Sequence, residues 1–205
     1  MDRLDHMLEE GIEHFDAFLS DDRRIKMKKY RFPIDQLQSA LVYILLRYAL
    51  VQEYGFRNYP TMKKNGQGKP QLAELPYLYF NLAHCKTGVA CLLDTAPVGV
   101  DIQNYVPFDE ELLPYFMSSS EKKKAMQNRS SVYFTRTWAL KESYGKWLGA
   151  GILYDMPGYT VFEGQGKGYF NSSFLMPGFV LATTAESPQF PQYVTVQDVT
   201  SCLSQ

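Results

Sequence analysis

With 205 residues and a mass of 23.6 kDa, the chain fits one large domain or two small ones. Hydrophobic residues make up 45% and charged residues 21%, a globular composition that excludes a mainly disordered chain. Lys and Arg number 21 against 22 Asp and Glu, for a net charge of −1, which excludes a protein that grips nucleic acid through overall positive charge.

The segment Leu4 to Leu19 predicts a helix, and a basic run follows it: Arg23, Arg24, Lys26, Lys28, Lys29 and Arg31, with no acid among them. The clearest helix comes next. Pro33 stands near its start, Leu37, Leu41, Ile44, Leu45, Tyr48 and Val51 recur at helical spacing, and Gly55 stands at its C-terminal cap. Asn58 to Gly68 is expected to be a polar loop. Leu78–Leu82, Val89–Leu93 and Val98–Ile102 then read as three strands separated by short turns.

The second half repeats the order of helices then strands. Ser118 with Glu121 forms a capping box for a short helix, and a longer helix runs from Ser131 to Trp147, stopped by Gly149 and Gly151. Strands are expected near Tyr159–Phe162, Gly168–Leu175, Phe179–Thr184 and Tyr193–Val196, with GQGKG (Gly164 to Gly168) as a turn between two of them. The fold class is therefore α+β, with two similar lobes of about 100 residues, 1–96 and 97–205, meeting near Ala96–Pro97.

Cys85, Cys91 and Cys202 show no CxxC spacing, and with three His in the chain a zinc cluster is not expected. The N-terminus carries Asp2, Asp5, Glu9 and Glu10 and no apolar run, unlike a secretory signal. The longest strongly apolar stretch, Ala40 to Leu46, is ended by Arg47, far short of the ~20 residues of a membrane span. A soluble cytoplasmic protein with reduced thiols, free of membrane and nucleic acid, is expected.

Two segments carry candidate chemistry. VGVDIQ (Val98 to Gln103) alternates strictly, so Val98, Val100 and Ile102 share one face and Gly99, Asp101 and Gln103 the other. The second face is either the solvated side of a half-buried strand or a carboxylate and an amide beside a bare backbone, ready for a cation or phosphate. In WALKESYGKW, Trp138, Glu142 and Lys146 fall at i, i+4 and i+8 on one helical stripe. They form either a surface Glu–Lys pair or a desolvated carboxylate suited to proton transfer. His84, in FNLAHC, and Lys69, in GKP, read on their own as a structural histidine and a solvated lysine. The run at 23–31 reads either as a solvated helix end or as an anion grip.

Taken in order, the basic run, GKP, FNLAH, GVDIQ and WALKESYGK resemble the successive motifs of 4′-phosphopantetheinyl transferases, of the double-length, two-lobed Sfp-type class. The resemblance covers roughly residues 20–150. It implies two α+β lobes with pseudo-twofold symmetry and transfer of the phosphopantetheine arm of coenzyme A to a serine of an apo acyl or peptidyl carrier protein, releasing 3′,5′-ADP. On this resemblance Mg²⁺ is held by Asp101 and Glu142, with Gln103 where a third carboxylate often stands. Glu142 is the general base and Lys146 neutralises the departing phosphate. Lys141 and His84 match phosphate contacts, Lys69 and Pro70 the loop on the adenine side, and Arg23 and Lys26 the cations on the 3′-phosphate. A third such cation aligns with Gln38. With both lobes in one chain, a monomer is expected. Two rivals stand beside this reading: another coenzyme A- or nucleotide-dependent phosphotransferase, and a non-catalytic coenzyme A- or carrier-binding module.

Overall fold

A computed structural model describes residues 4–66, 68–149, 155–161, 164–166 and 168–205. The helix expected over Leu4 to Leu19 is broken in two. Helix α1 (Leu4–Glu10) gives way to a 3₁₀ segment (Ile12–Phe18) at Gly11, whose φ of 94° no regular helix accommodates. Helix α2 (Asp21–Met27) then starts at Ser20, whose hydroxyl accepts the Arg23 N–H. The long helix α3 (Pro33–Tyr54) has Pro33 in its first turn and Gly55 as its cap, as its sequence predicts. By length and mean hydropathy it could cross a membrane, but 67% of its apolar window is buried in the protein's own core. Leu37, Leu41 and Ile44 there meet Leu4, Met7, Phe15, Leu19 and Met27.

Strands β1 (Met62–Lys64) and β2 (Pro70–Leu72) pair antiparallel, so the segment expected to be loop holds a short strand. Three residues are too few to show alternation in a polar stretch. Strands β3 (Tyr79–Cys85) and β4 (Gly88–Asp94) form a hairpin, followed by β5 (Val98–Asn104). Helices α4 (Leu113–Phe116), α5 (Ser119–Asn128) and α6 (Ser131–Leu148) come next, with the Ser118–Glu121 capping box and the Gly149 cap in place. Strands β6 (Gly164–Gly166), β7 (Tyr169–Met176) and β8 (Phe179–Ala185) and helix α7 (Val196–Leu203) complete the chain.

Three expectations in this half are corrected. Gly164–Gly166 pairs with β7 as a strand instead of turning. Tyr159–Val161 is irregular, its backbone engaged by side chains of α5 and α6. Thr195 caps α7 where a strand was expected, because Asp198 completes a capping box with it. Gly151, Phe162 and Lys167 lie outside the described residues.

The larger sheet has the order β5-β8-β7-β6, all antiparallel, with β5 at its end. Every residue of β8 is buried, because α6 covers one face (Ala139 and Leu140 on Val180 and Ala182). On the other, Ala83, Cys85 and Ala90 of the β3–β4 hairpin pack with Val100, Ile102, Phe179 and Leu181. Helix α3 in turn covers β4, and α7 returns to pack Val199 into the core of α1 and α3. Strand β5 thus lies between the hairpin and α6.

Candidate active site

The approach of α6 to β5 sets the geometry. Residues Val98 to Ile102 are all buried, so neither face of VGVDIQ is the solvated side. Gly99 makes this possible. A Cβ built there would lie 1.9 Å from the Ser143 carbonyl oxygen and 2.6 Å from the Trp147 nitrogen, both backbone atoms that no rotamer can move aside. The absent side chain lets the helix settle directly on the strand and brings Asp101 against the α6 stripe.

Lys146 Nζ donates to Asp101 Oδ1 at 2.8 Å and to the Val100 carbonyl at 3.0 Å. Asp101 is 4% exposed, and its Oδ2 is buried without a hydrogen-bond partner. Burial pushes its carboxyl above the usual range, against the pull of Lys146 and the neighbouring Gln103 amide. Glu142, half-buried one turn before Lys146, is pushed up by burial and then by the charge of Asp101, with Lys146 opposing. Two carboxylates and an ammonium therefore share one desolvated site. Trp138, one turn further back on the stripe, packs edge-on against Phe116 with ring centroids 5.0 Å apart.

As the end strand of its sheet, β5 has backbone groups that no strand pairs, and side chains take them instead. Lys69 Nζ donates to Val98 O at 3.3 Å and to Lys146 O at 2.7 Å. Asn81 Oδ1 accepts the Val100 N–H at 3.1 Å. Lys69 and Asn81 belong to β2 and β3 or their edges, so both halves of the chain meet at this strand. Sequence reasoning missed Asn81. The available signal was an amide set among apolar residues in a strand. His84, three residues along β3, is held below its usual pKa by burial and then by Lys146, while Asp35 and Asp101 act the other way. It is brought within electrostatic reach of the cluster.

The remaining candidates divide. Lys26 is exposed on α2, its pKa lowered by burial and by the charges of Arg23 and Lys64. Arg23 is largely buried. Its Nη2 donates to Ser39 O at 2.9 Å, its guanidinium lies over Tyr43, and its Nε has no partner. Arg24 of the same run pairs instead with Asp21 and with backbone carbonyls, a helix-end role. Gln38 is buried, donating to Cys85 O at 2.8 Å.

Lys141, for which the resemblance implies a phosphate contact, is turned away from the cluster of Asp101, Glu142 and Lys146. Adjacent in sequence to Glu142, it projects about 100° further round the helix. There it is fully buried, paired with Glu121 Oε2 at 2.8 Å and donating to the Met156 carbonyl at 2.6 Å and to that of Tyr159. Glu121 also accepts the N–H groups of Ser118 at 2.7 Å and Val161 at 2.9 Å. This buried pair ties α5, α6 and the segment at 155–161, with its 3₁₀ turn Met156–Gly158, together.

Among the described residues no three His, Cys, Asp or Glu side chains converge as an all-protein metal cage. The donors present are the carboxylates of Asp101 and Glu142 and the amide of Gln103, one carboxylate oxygen being buried and unpartnered. Such an oxygen set fits a hard divalent cation that completes its shell with substrate phosphate and water.

A buried strand carboxylate, a helical glutamate with a raised pKa and a lysine that binds both strand and carboxylate form one polar cluster where α6 meets β5. Residues 97–191, which carry this cluster, match the sequence profile of the 4′-phosphopantetheinyl transferase superfamily. The chain is 31% identical over 153 residues to 4′-phosphopantetheinyl transferase psf-1 of Bacillus pumilus, a match covering 73% of this chain and 66% of that relative. It is 26% identical over 204 residues to 4′-phosphopantetheinyl transferase Sfp of Bacillus subtilis (strain 168), and 25% identical over 205 residues to 4′-phosphopantetheinyl transferase ffp of Bacillus subtilis. Both of these matches cover 92% of this chain and 91% of the relative. The chain belongs to the 4′-phosphopantetheinyl transferase superfamily.

Proposed function

We propose that this protein transfers the 4′-phosphopantetheine arm of coenzyme A to a serine hydroxyl of an apo acyl or peptidyl carrier protein. The serine oxygen forms a bond to the phosphorus that bears the pantetheine arm. The P–O bond to the second phosphate of the pyrophosphate breaks, and 3′,5′-ADP leaves. The observation that carries this reading is the convergence of Asp101, Glu142 and Lys146 on one buried strand–helix contact.

Glu142 accepts the serine proton. Burial and the Asp101 charge raise its basicity, bringing its pKa nearer to working pH. Lys146 gives two N–H bonds to Asp101 and Val100, which fix the ammonium beside the carboxylates and leave a third N–H for an oxygen of the departing phosphate. Asp101 and Glu142, with Gln103 beside them, would hold Mg²⁺, which when bound supplies positive charge to the pyrophosphate. His84 faces the pyrophosphate from β3, and Arg23 and Lys26 hold the 3′-phosphate.

Residues 1–96 and 97–205 are read as two pseudo-symmetric lobes. Each lays a long helix, α3 or α6, on antiparallel strands. The site then assembles within a monomer, since Lys69, Asn81 and His84 reach β5 and α6 of the same chain. A cytoplasmic location suits the three free cysteines. The test is incubation with coenzyme A, Mg²⁺ and apo carrier proteins of fatty-acid, polyketide and peptide type, read by intact mass. One phosphopantetheine added to at least one carrier, and lost with EDTA, supports the reading. No addition to any of them leaves a binding module.

A further inference from the structure

The resemblance sets Gln38, a neutral residue, where a third cation of the anion site on α2 is expected. The structure deepens that deficit. The Gln38 amide is buried and spends its N–H on the Cys85 carbonyl, so it is turned into the core. Arg23 in turn gives Nη2 to the Ser39 carbonyl.

Strand β1 lies against this corner. Alternation puts Met62 and Lys64 on one face and Lys63 on the other. Met62 Sδ is 3.9 Å from Arg23 Nη1, which shows that the Met62–Lys64 face is the one turned to α2. Lys63 goes the other way, where its charge favours the Glu74 carboxylate. Lys26 stands three residues after Arg23 on α2, so the two share a helix face. After burial, the charges of Arg23 and Lys64 lower the pKa of Lys26. Three cations gathered at one corner repel one another, a cost that a bound dianion would reverse.

We infer that Lys64 is the third cation of this site, replacing the charge missing at Gln38 and holding a phosphate monoester, the 3′-phosphate of coenzyme A, together with Arg23 and Lys26. Lys64 also stands opposite Pro70 in the β1–β2 pair, next to the GKP loop. One short hairpin thus places Lys64 and the GKP loop side by side. This assignment rests on the reading that Arg23 and Lys26 hold that phosphate.

The test compares coenzyme A with dephospho-coenzyme A, which lacks the 3′-phosphate, by titration calorimetry and by KM in the transfer assay. Lys64→Met should weaken coenzyme A roughly fivefold and leave dephospho-coenzyme A unchanged, the scale of one exposed charge contact. Lys64→Arg should restore the difference, and its size should shrink at high salt. Lys63→Met, on the opposite face, should change neither ligand. If Lys26→Met weakens coenzyme A selectively but Lys64→Met does not, Lys64 is outside the site while the phosphate reading stands. If neither variant separates the two ligands, the reading of the α2 site itself is overturned, and the role of Lys64 falls with it.

Discussion

The ammonium of Lys69 donates to the carbonyl of Lys146 at 2.7 Å, a bond between residues 77 positions apart in sequence. With its second bond to Val98 O, Lys69 pins the C-terminal turn of α6 to the start of β5. These two elements carry Glu142, Lys146 and Asp101. A cation at the C-terminal end of a helix is also favoured by the helix dipole.

Lys69→Met should therefore lower kcat, by about tenfold if the carboxylates shift by a fraction of an ångström, with little change in KM for coenzyme A. A residue that only lined the adenine would give the reverse, a raised KM at constant kcat. Steady-state kinetics with coenzyme A as the varied substrate separates the two.

Gly99→Ala should disrupt the same junction by overpacking. The methyl would overlap backbone atoms of Ser143 and Trp147, so α6 must move off β5. The cost is on the order of 3 kcal/mol, or a melting temperature lower by roughly 6–12 °C in a chain of this size. Thermal unfolding followed by circular dichroism measures it. An unchanged midpoint would mean that the helix and strand are not held this close.

Lys141→Met should act on stability and not on coenzyme A. It would leave Glu121 charged and buried without its partner, a loss of about 3–5 kcal/mol, while KM for coenzyme A in the folded fraction stays near normal. A selective rise in KM with an unchanged melting point would return Lys141 to the phosphates.

The raised pKa values of Glu142 and Asp101 have consequences for both rate and stability. A base must be ionised, so the transfer rate should fall on acidification as Glu142 takes up a proton. For stability the sign is opposite. A carboxyl whose pKa is higher folded than unfolded binds more protons in the folded state across that interval, so stability declines as pH rises through it. Glu142→Gln should thus raise the melting temperature at neutral pH in EDTA. A lower melting temperature would show that the Glu142 charge stabilises the fold.

Much of this was legible in the chain. Helices α3 and α6 announce themselves by apolar spacing and by their end residues, and β3 to β5 by short apolar runs between turns. The stripe of Trp138, Glu142 and Lys146 needs only helical periodicity. What periodicity does not encode is which long-range partner covers a face. Asp101 alternates with apolar neighbours as an outward-facing residue would, and only the descent of α6 onto Gly99 buries it. Lys141 is next to Glu142 in sequence but not on the helix surface, and its partners Glu121 and Met156 lie far along the chain. Strand β1, too short and polar to show a pattern, exists because β2 pairs with it.

The most direct measurement of the central claim, that Glu142 beside Asp101 and Lys146 performs the transfer, is a single-turnover comparison of the protein with its Glu142→Gln variant. Glutamine keeps the size of the side chain and removes its charge. Coenzyme A affinity is measured by calorimetry, and 3′,5′-ADP release is timed after mixing with a carrier that the unaltered protein modifies. The variant should bind coenzyme A and turn over at least ~100-fold more slowly, the lower end for a lost general base. Near-normal release of 3′,5′-ADP by Glu142→Gln would contradict it.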